Sequence, residues 1–206
     1  MSTAPEPAET VIRPPTGWQL NGLASVTGST ALQLTPATGY GAGSAFATHP
    51  VSTATKLTVS FTAAIDSGTG ADGMCLVLAD ASQAQPTALG QPGGGLGYSG
   101  IPGTCVGLQT FQGATDPSTN FVGVGSSGTT DSVIWTATNT NIPLLRGTPH
   151  NFVVTLNAGL MTVVMDGTQV LTTAISAPPQ VLVGFSAGNG GLTDRHAVSN
   201  INVTLG

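Results

Sequence analysis

The chain carries few side chains that could perform acid–base, nucleophilic or metal chemistry. Beyond residue 16 its acidic residues are seven aspartates and no glutamate: Asp66, Asp72, Asp80, Asp116, Asp131, Asp166 and Asp194. They stand singly, mostly beside Gly or Ser at the ends of apolar runs, where the tendency of Asp to form turns explains them. Glycoside hydrolysis needs two carboxyl groups facing one bond at a fixed separation, and no such pair is apparent. We therefore expect no enzymatic activity.

The histidines and the glycine-rich segment add no catalytic or cofactor site. His49, His150 and His196 are far apart in the sequence, and a metal site would need them to converge with scarce carboxylates. Residues 95–100 match the dinucleotide pattern G-x-G-x-x-G but lack its strand, helix and acidic residue. Position 101 is Ile rather than Gly, so Ser99 does not fit a hydrolase nucleophile elbow. No cofactor is predicted.

Charge and hydropathy exclude two classes of partner. The 206 residues include 4 Lys and Arg against 9 Asp and Glu, which gives a net charge of -5. This leaves no basic surface to neutralise phosphates, so nucleic acid is not expected as a partner. No apolar run approaches the roughly 20 residues needed to cross a bilayer, so we expect no membrane insertion. We also recognise no signal peptide in this chain.

The chain divides into a short arm and one larger domain. Residues 1–16 contain four prolines and the only two glutamates, which predicts an extended arm outside the core. We expect this arm to dock on a neighbouring subunit or partner protein. Residues 17–206 contain short runs rich in Val, Leu, Ile, Thr and Phe between Gly, Pro, Asn and Ser clusters, which is typical of an all-β chain.

About a dozen such runs predict two stacked sheets or a closed barrel. In residues 57–62 apolar and hydroxyl side chains alternate strictly, which indicates one buried and one solvated face. Asp166 and Gly167 between two runs predict a tight hairpin turn. Residues 80–103, rich in Gly, Gln and Pro, predict a long loop at the rim of the sandwich.

A family resemblance begins at residues 71–79, ADGMCLVLA, which resemble the A-D-G strand of the legume-type (L-type) lectins. Further segments follow in the family's order: residues 18–24 resemble its opening strand, 93–97 its G-G-x-L-G loop and 105–111 its V-E-F-D-T-F strand. Residues 116–124 resemble its D-P and N-H-I-G-I segments, 183–187 its V-G-F-S-A strand and 194–196 the E-x-H that follows it. The resemblance covers residues 18–205. It implies a concanavalin A-like jelly-roll β-sandwich of about a dozen antiparallel strands, with sugar-binding loops at its concave rim.

The resemblance also implies a sugar site. The Asp of A-D-G and a Gly of the G-G loop correspond to Asp72 and to Gly94 or Gly95, and the family's Asn contact is replaced by Gly113. We add Tyr98 and Phe121 as rings on which a sugar could stack, and Asn189 from the loop at residues 188–194.

The metal ligands that accompany this site in the family are largely missing. The Glu and Asp of V-E-F-D become Gly107 and Gln109, and the His of N-H-I-G-I becomes Phe121. Only Asp116 survives, and calcium prefers six to eight oxygen ligands, so we predict no metal. In the resembled fold Cys75 and Cys105 lie on neighbouring strands, which leaves open a disulfide or two reduced thiols.

Two functions follow from these expectations. The first is a non-enzymatic carbohydrate-binding module that recognises surface glycans with low affinity per site, located extracellularly or on a virion or cell surface. The alternative is a structural or decoration protein of a larger assembly, such as a virion surface, in which the sugar site is vestigial.

Overall fold

Two antiparallel sheets make up the computed structural model, which describes residues 16–128 and 131–206. The strands are β1 (Trp18–Gly22), β2 (Ser25–Thr27), β3 (Ala31–Thr35), β4 (Gly41–Ala47), β5 (Val51–Ser52), β6 (Leu57–Asp66), β7 (Gly73–Asp80), β8 (Gly103–Gln109), β9 (Phe121–Ser127), β10 (Val133–Asn139), β11 (His150–Asn157), β12 (Leu160–Met165), β13 (Thr168–Ala174), β14 (Gln180–Asn189) and β15 (Arg195–Leu205). A single 3₁₀ turn, Gly93–Gly95, is the one helical element in the described residues. The predicted all-β jelly-roll sandwich is confirmed.

The eight-stranded front sheet has the order β1-β4-β14-β7-β8-β9-β10, with β5 also paired to β14. The seven-stranded back sheet has the order β13-β12-β11-β6-β15-β3-β2. Several neighbouring strands, such as β14 with β4 and β7, are distant in sequence, so segments that resemble lectin motifs become adjacent strands. In particular, β7 lies between β14 and β8.

The core lies between the two sheets, and alternation decides which side chains enter it. In β6 the odd-numbered residues, from Leu57 to Ile65, are buried, whereas the even-numbered residues are not. Phe61 packs against Phe152 at 5.3 Å between ring centroids and crosses to Phe185 of the front sheet at 4.9 Å. These contacts join the sheets.

A second apolar cluster lies on the outer face of the front sheet. The predicted long loop at residues 80–103 folds over this face and buries Leu96, Tyr98 and Ile101 against Phe46 and Val77. Strands β7 and β14 are therefore covered on both faces and carry almost continuous apolar sequence.

The predicted hairpin turn at Asp166 and Gly167 is present, and His150 and His196 lie in structural positions. Asp166 and Gly167 connect β12 to β13 with φ of 48° and 81°, the two positive values that a type I′ turn requires. Asp166 Oδ2 lies 2.6 Å from His150 Nδ1, so this histidine supports the hairpin. His196 is fully buried beside Thr35, and burial lowers its pKa to about 3, which keeps the ring neutral.

The two cysteines are free, buried thiols in the structure, so the disulfide that the sequence left open is not formed. Cys75 pairs across the strands with Gly107, and Cys105 pairs with Val77. The cysteines are thus diagonal neighbours, a position in which Cα atoms are typically about 7–8 Å apart and too distant for an unstrained bridge. Burial raises the pKa of the Cys105 thiol, an effect that Cys75 reinforces.

We expect both thiols to resist iodoacetamide in the folded protein, because alkylation needs an accessible thiolate. Unfolding without a reductant should make both reactive, and mass spectrometry should then detect two added groups. A mass unchanged under these conditions would demonstrate a disulfide.

Candidate functional site

Asp72 lies where three segments of the front sheet meet. Its backbone N–H donates to Gly188 O of β14 at 3.2 Å, and its carbonyl accepts bonds from Thr110 N at 3.0 Å and Thr110 Oγ1 at 3.1 Å. The Ala71–Asp72 peptide bond is cis. Residue 72 is therefore tied to both strands that flank β7.

The Asp72 carboxyl group is buried and incompletely bonded. The residue is only 5% exposed, and Oδ2 has no hydrogen-bond partner. Burial is the main cause that raises the pKa of Asp72 to about 6. A hydrogen bond from the Gly190 amide lowers this pKa in part, and the negative charge of Asp116 raises it further. An unpartnered buried acceptor is unusual in a folded protein.

Glycines allow the surrounding loops to approach this carboxyl group. A Cβ at Gly188 would lie 2.8 Å from Gly93 O, and one at Gly190 would lie 2.9 Å from Asp72 Oδ2. A Cβ at Gly97 would lie 2.5 Å from Ala187 O. The predicted loop at residues 93–97 and the end of β14 therefore pack backbone to backbone beside Asp72.

The two glycines predicted to contact sugar differ in their surroundings. Gly95 is buried, and its N–H donates to Pro92 O at 3.1 Å. Gly94 is partly exposed on the same turn. Gly113 lies in the loop between β8 and β9, where its N–H donates to Asp116 Oδ2 at 2.9 Å.

Three other predicted sugar contacts are buried, which corrects the expectation that their side chains face a ligand. Tyr98 is 0% exposed, and its hydroxyl donates to Gly103 O at 2.7 Å under the loop at residues 80–103. Phe121 is equally buried and packs edge-on against Trp135 at 5.1 Å. Asn189 uses its amide to bond Pro36 O and the backbone of Asp194, so it supports a loop.

An exposed ring that the sequence reasoning did not assign lies closer to the candidate site. Phe111 directly follows Thr110, the residue bonded to Asp72, and is 39% exposed. Phe111 is the last residue of the segment that resembles the family's V-E-F-D-T-F strand, and this position could have indicated it from the sequence. Leu192, in the loop after β14, is another exposed apolar side chain here.

A partly buried ion pair fixes the loop after β14. The Asp194 side chain is fully buried and accepts from Arg146 Nε at 2.7 Å and Nη2 at 2.8 Å. Arg146 Nη2 also donates to Gly68 O at 3.1 Å. The guanidinium group thus joins the loop before Asp72 to the loop after Asn189, and sequence reasoning gave no role to either partner.

The residues at the family's metal position do not fit a cation. Asp116 accepts from Trp135 Nε1 at 2.7 Å and Gln109 Nε2 at 2.8 Å, in addition to Gly113. These N–H donors surround the carboxylate where a metal would need oxygen ligands. The Trp135 ring also occupies the space over Gly107 and Gly123, where an added Cβ would overlap it. No cluster of three potential ligands among His, Cys, Asp and Glu occurs in the described part of the chain.

Calcium should therefore leave the melting temperature unchanged, because a ligand stabilises a protein only when it binds the folded state. Thermal unfolding in millimolar calcium and in EDTA should give superimposable curves. A lower melting temperature in EDTA would contradict this reading of Asp116, Gln109 and Trp135.

The fold is that of the lectins. Basic winged bean lectin, solved with Tn-antigen, is 22% identical with a TM-score of 0.77, covering 96% of this chain and 98% of its own. The lectin from Bauhinia forficata, solved with GalNAc, is 18% identical with a TM-score of 0.77, covering 96% and 98%. The exoplasmic/lumenal domain of VIP36, in its Ca²⁺/Man-bound form, is 20% identical with a TM-score of 0.71, covering 91% and 82%.

No family model and no curated protein matches the sequence. The similarity to these solved structures shows that the chain has the L-type, concanavalin A-like lectin fold. The resemblance in its sequence motifs is confirmed at the level of fold. No helix in the described residues is long and apolar enough to cross a membrane.

Proposed function

We propose that this protein is a non-enzymatic, metal-independent carbohydrate-binding module whose site is centred on Asp72. The observation that carries the proposal is the buried, unpartnered Oδ2 of Asp72 where three segments of the front sheet meet. The lectin fold supports it, because the winged bean and Bauhinia lectins were solved with sugar ligands on the same framework.

The recognition chemistry follows from the groups available. Ionised Asp72 accepts hydrogen bonds from sugar hydroxyls, and charge-assisted bonds of this kind are stronger than neutral ones. The partly exposed backbone of Gly94 adds a short polar contact. The exposed ring of Phe111 covers an apolar sugar face. Tyr98 and Phe121 cannot stack on a sugar in this way because they are buried.

Asp116 supports this site without a metal. Its bond to Gln109 holds the end of β8, and its bond to Gly113 holds the loop that carries Phe111. Thr110 lies between them and bonds to Asp72. The indole–carboxylate contact thus takes over the positioning that bound cations would provide.

A glycan array probed with the full chain in the presence of EDTA tests the proposal. We expect specific binding to a subset of glycans, and loss of those signals with Phe111→Ala. Val153→Ala, a change at a partly exposed apolar residue of the back sheet, is the matched control and should keep them. Absence of any specific signal with the unmodified chain would overturn the proposal.

The proposal places the protein where surface glycans are accessible. The alternative role in a larger assembly depends on residues 1–16, and residues 1–15 lie outside the described part of the chain. Within the described residues no observation favours that role over glycan binding.

A further inference from the structure

We propose that the candidate site selects sugars that carry a free, protonated amino group, namely hexosamines without an N-acetyl group. This inference rests on the proposed function and names the class of sugar that the site takes. Its structural basis is a pair of buried oxygen atoms, Asp72 Oδ2 and Gln109 Oε1, neither of which has a hydrogen-bond partner. Asp72 is 5% exposed and Gln109 is 1% exposed.

Strand register brings these two oxygen atoms to the same end of the front sheet. Gln109, the last residue of β8, pairs with Gly73, the first residue of β7, and Asp72 directly precedes Gly73. A Cβ at Gly73 would lie 3.1 Å from Gln109 Oε1. Thr110, which follows Gln109, donates from its amide and its hydroxyl to the carbonyl of Asp72. The amide oxygen of Gln109 therefore lies against the backbone next to Asp72.

The orientation of the Gln109 amide is fixed by its other end. Gln109 Nε2 donates to Asp116 Oδ2 at 2.8 Å, and Asp116 also accepts from Trp135 Nε1 at 2.7 Å. An ionised carboxylate can only accept hydrogen bonds, so the amide must turn its NH₂ group toward Asp116. Gln109 Oε1 consequently points away from Asp116 and stays without a donor.

The hydrogen-bonding needs of the two oxygens match an ammonium group. An ionised carboxylate and an amide carbonyl oxygen only accept, whereas an ammonium group has three donors and no acceptor. A sugar hydroxyl brings one donor together with an oxygen that itself accepts. An N-acetyl group brings one N–H donor and adds a carbonyl acceptor. A protonated amine can therefore serve Asp72 and Gln109 together without bringing an unmatched acceptor into the site.

The charges around the site also favour a cation. The pKa of Asp72 is raised chiefly by burial, and the negative charge of Asp116 raises it further. Three basic side chains occur in residues 16–128 and 131–206, and none compensates these carboxylates. Arg146 and Arg195 form ion pairs with other aspartates, and Lys56 lies before β6, at the end away from the loop that leads to Asp72. A cationic ligand would supply the missing positive charge.

Glycines in the loop after β14 leave a route to Asp72 Oδ2. A Cβ at Gly190 would lie 2.9 Å from this oxygen, and a Cβ at Gly191 would meet nothing within 4 Å. Gly190 is partly exposed and Gly191 is exposed. Because neither residue has a side chain, an amino group can approach the carboxyl group from this loop.

Calorimetry on the full chain tests this selection with methyl glycosides that carry a hydroxyl, an acetamido or an amino group at carbon 2, in both the gluco and galacto series. We expect the best amino sugar to bind about tenfold more tightly than its two neutral counterparts, because hydrogen bonds between charged groups are stronger than neutral ones. Raising the salt concentration from about 0.05 M to about 0.5 M should reduce this preference, since salt screens the charge pair.

Gln109→Met removes the free amide oxygen and should lower the ratio of amino-sugar to acetamido-sugar affinity by about threefold or more. The ratio is the readout because the substitution also removes a donor from Asp116, which would weaken both sugars alike. Gln169→Met, at an exposed glutamine of β13 on the back sheet, is the matched control and should keep the ratio.

The outcomes separate this inference from the proposed function. Equal affinity for amino and neutral sugars would overturn the selection and leave the sugar site at Asp72 intact. An unchanged ratio in Gln109→Met would overturn the role of the paired oxygens. No binding of any glycoside would overturn both proposals. Lysine amide, an amine without a sugar ring, should not displace the amino sugar; displacement at equal concentration would assign the site to amines in general and overturn the sugar class.

Discussion

Asp72→Asn should abolish sugar binding and at the same time stabilise the folded protein at neutral pH. The carboxylate is 5% exposed with one oxygen unpaired, so its ionised form is unfavourable in the fold until a ligand supplies donors. Its pKa is raised from 3.8 to about 6. At 1.36 kcal/mol per pH unit this corresponds to a destabilisation on the order of 3 kcal/mol above pH 6.

The sign of the pH dependence follows from linkage. Between about pH 4 and pH 6 the folded state binds a proton at Asp72 that the unfolded state has released, so stability falls as pH rises through this window. Below pH 4 the group is protonated in both states and contributes no difference. The stability gained by Asp72→Asn should therefore appear above pH 6 and vanish at pH 4. Sugar affinity of the unmodified chain should fall below pH 6, as the acceptor becomes protonated.

Urea unfolding at pH 4.0 and 7.5, together with calorimetric titration of a glycan bound by the unmodified chain, measures both effects. Asp131→Asn, at an exposed aspartate, controls for the change in net charge and should alter neither quantity appreciably. A stable, folded Asp72→Asn protein that binds the glycan with full affinity would remove Asp72 from the site. Destabilisation at pH 7.5 would show that the carboxylate has a structural partner.

Trp135→Ala should destabilise the protein and weaken sugar binding together, because one ring fills space and holds Asp116. Removing the indole leaves a cavity over Gly107 and Gly123, where large-to-small changes in packed regions cost about 3 kcal/mol. It also removes the Nε1 donor from Asp116, which is bonded to the end of β8 and to the loop carrying Phe111. We expect glycan affinity to fall by about tenfold or more, which corresponds to at least 1.4 kcal/mol.

Trp135→Phe separates the two contributions. It retains an aromatic ring beside Gly123 but does not reach Gly107 and cannot donate to Asp116, so it should recover part of the stability and little of the affinity. Calcium titration of Trp135→Ala completes the test, since its thermal unfolding should remain insensitive to the cation. Recovery of stability by calcium would mean that the indole merely blocks a working metal site.

The sequence by itself determined the sheet-forming pattern and singled out the carboxylate on which the proposed site is centred. Alternation in residues 57–62 predicts which side chains of β6 enter the core, because successive strand residues face opposite sides. Asp166 and Gly167 specify their hairpin through backbone conformations that few other residues adopt. The A-D-G motif predicted Asp72 as a site residue, and the absence of acidic residues at positions 107 and 109 predicted an incomplete set of metal ligands.

Tertiary structure alone decided which rings face solvent and which donors surround Asp116. Tyr98 and Phe121 are buried because the loop at residues 80–103 and Trp135 cover the outer face, whereas Phe111 at the end of β8 and Tyr40 before β4 remain exposed. Trp135 reaches Asp116 across 19 residues, and Arg146 reaches Asp194 across 48. Such pairs depend on strand order and loop packing, which bring together residues that are distant in sequence. Local sequence periodicity does not predict these contacts.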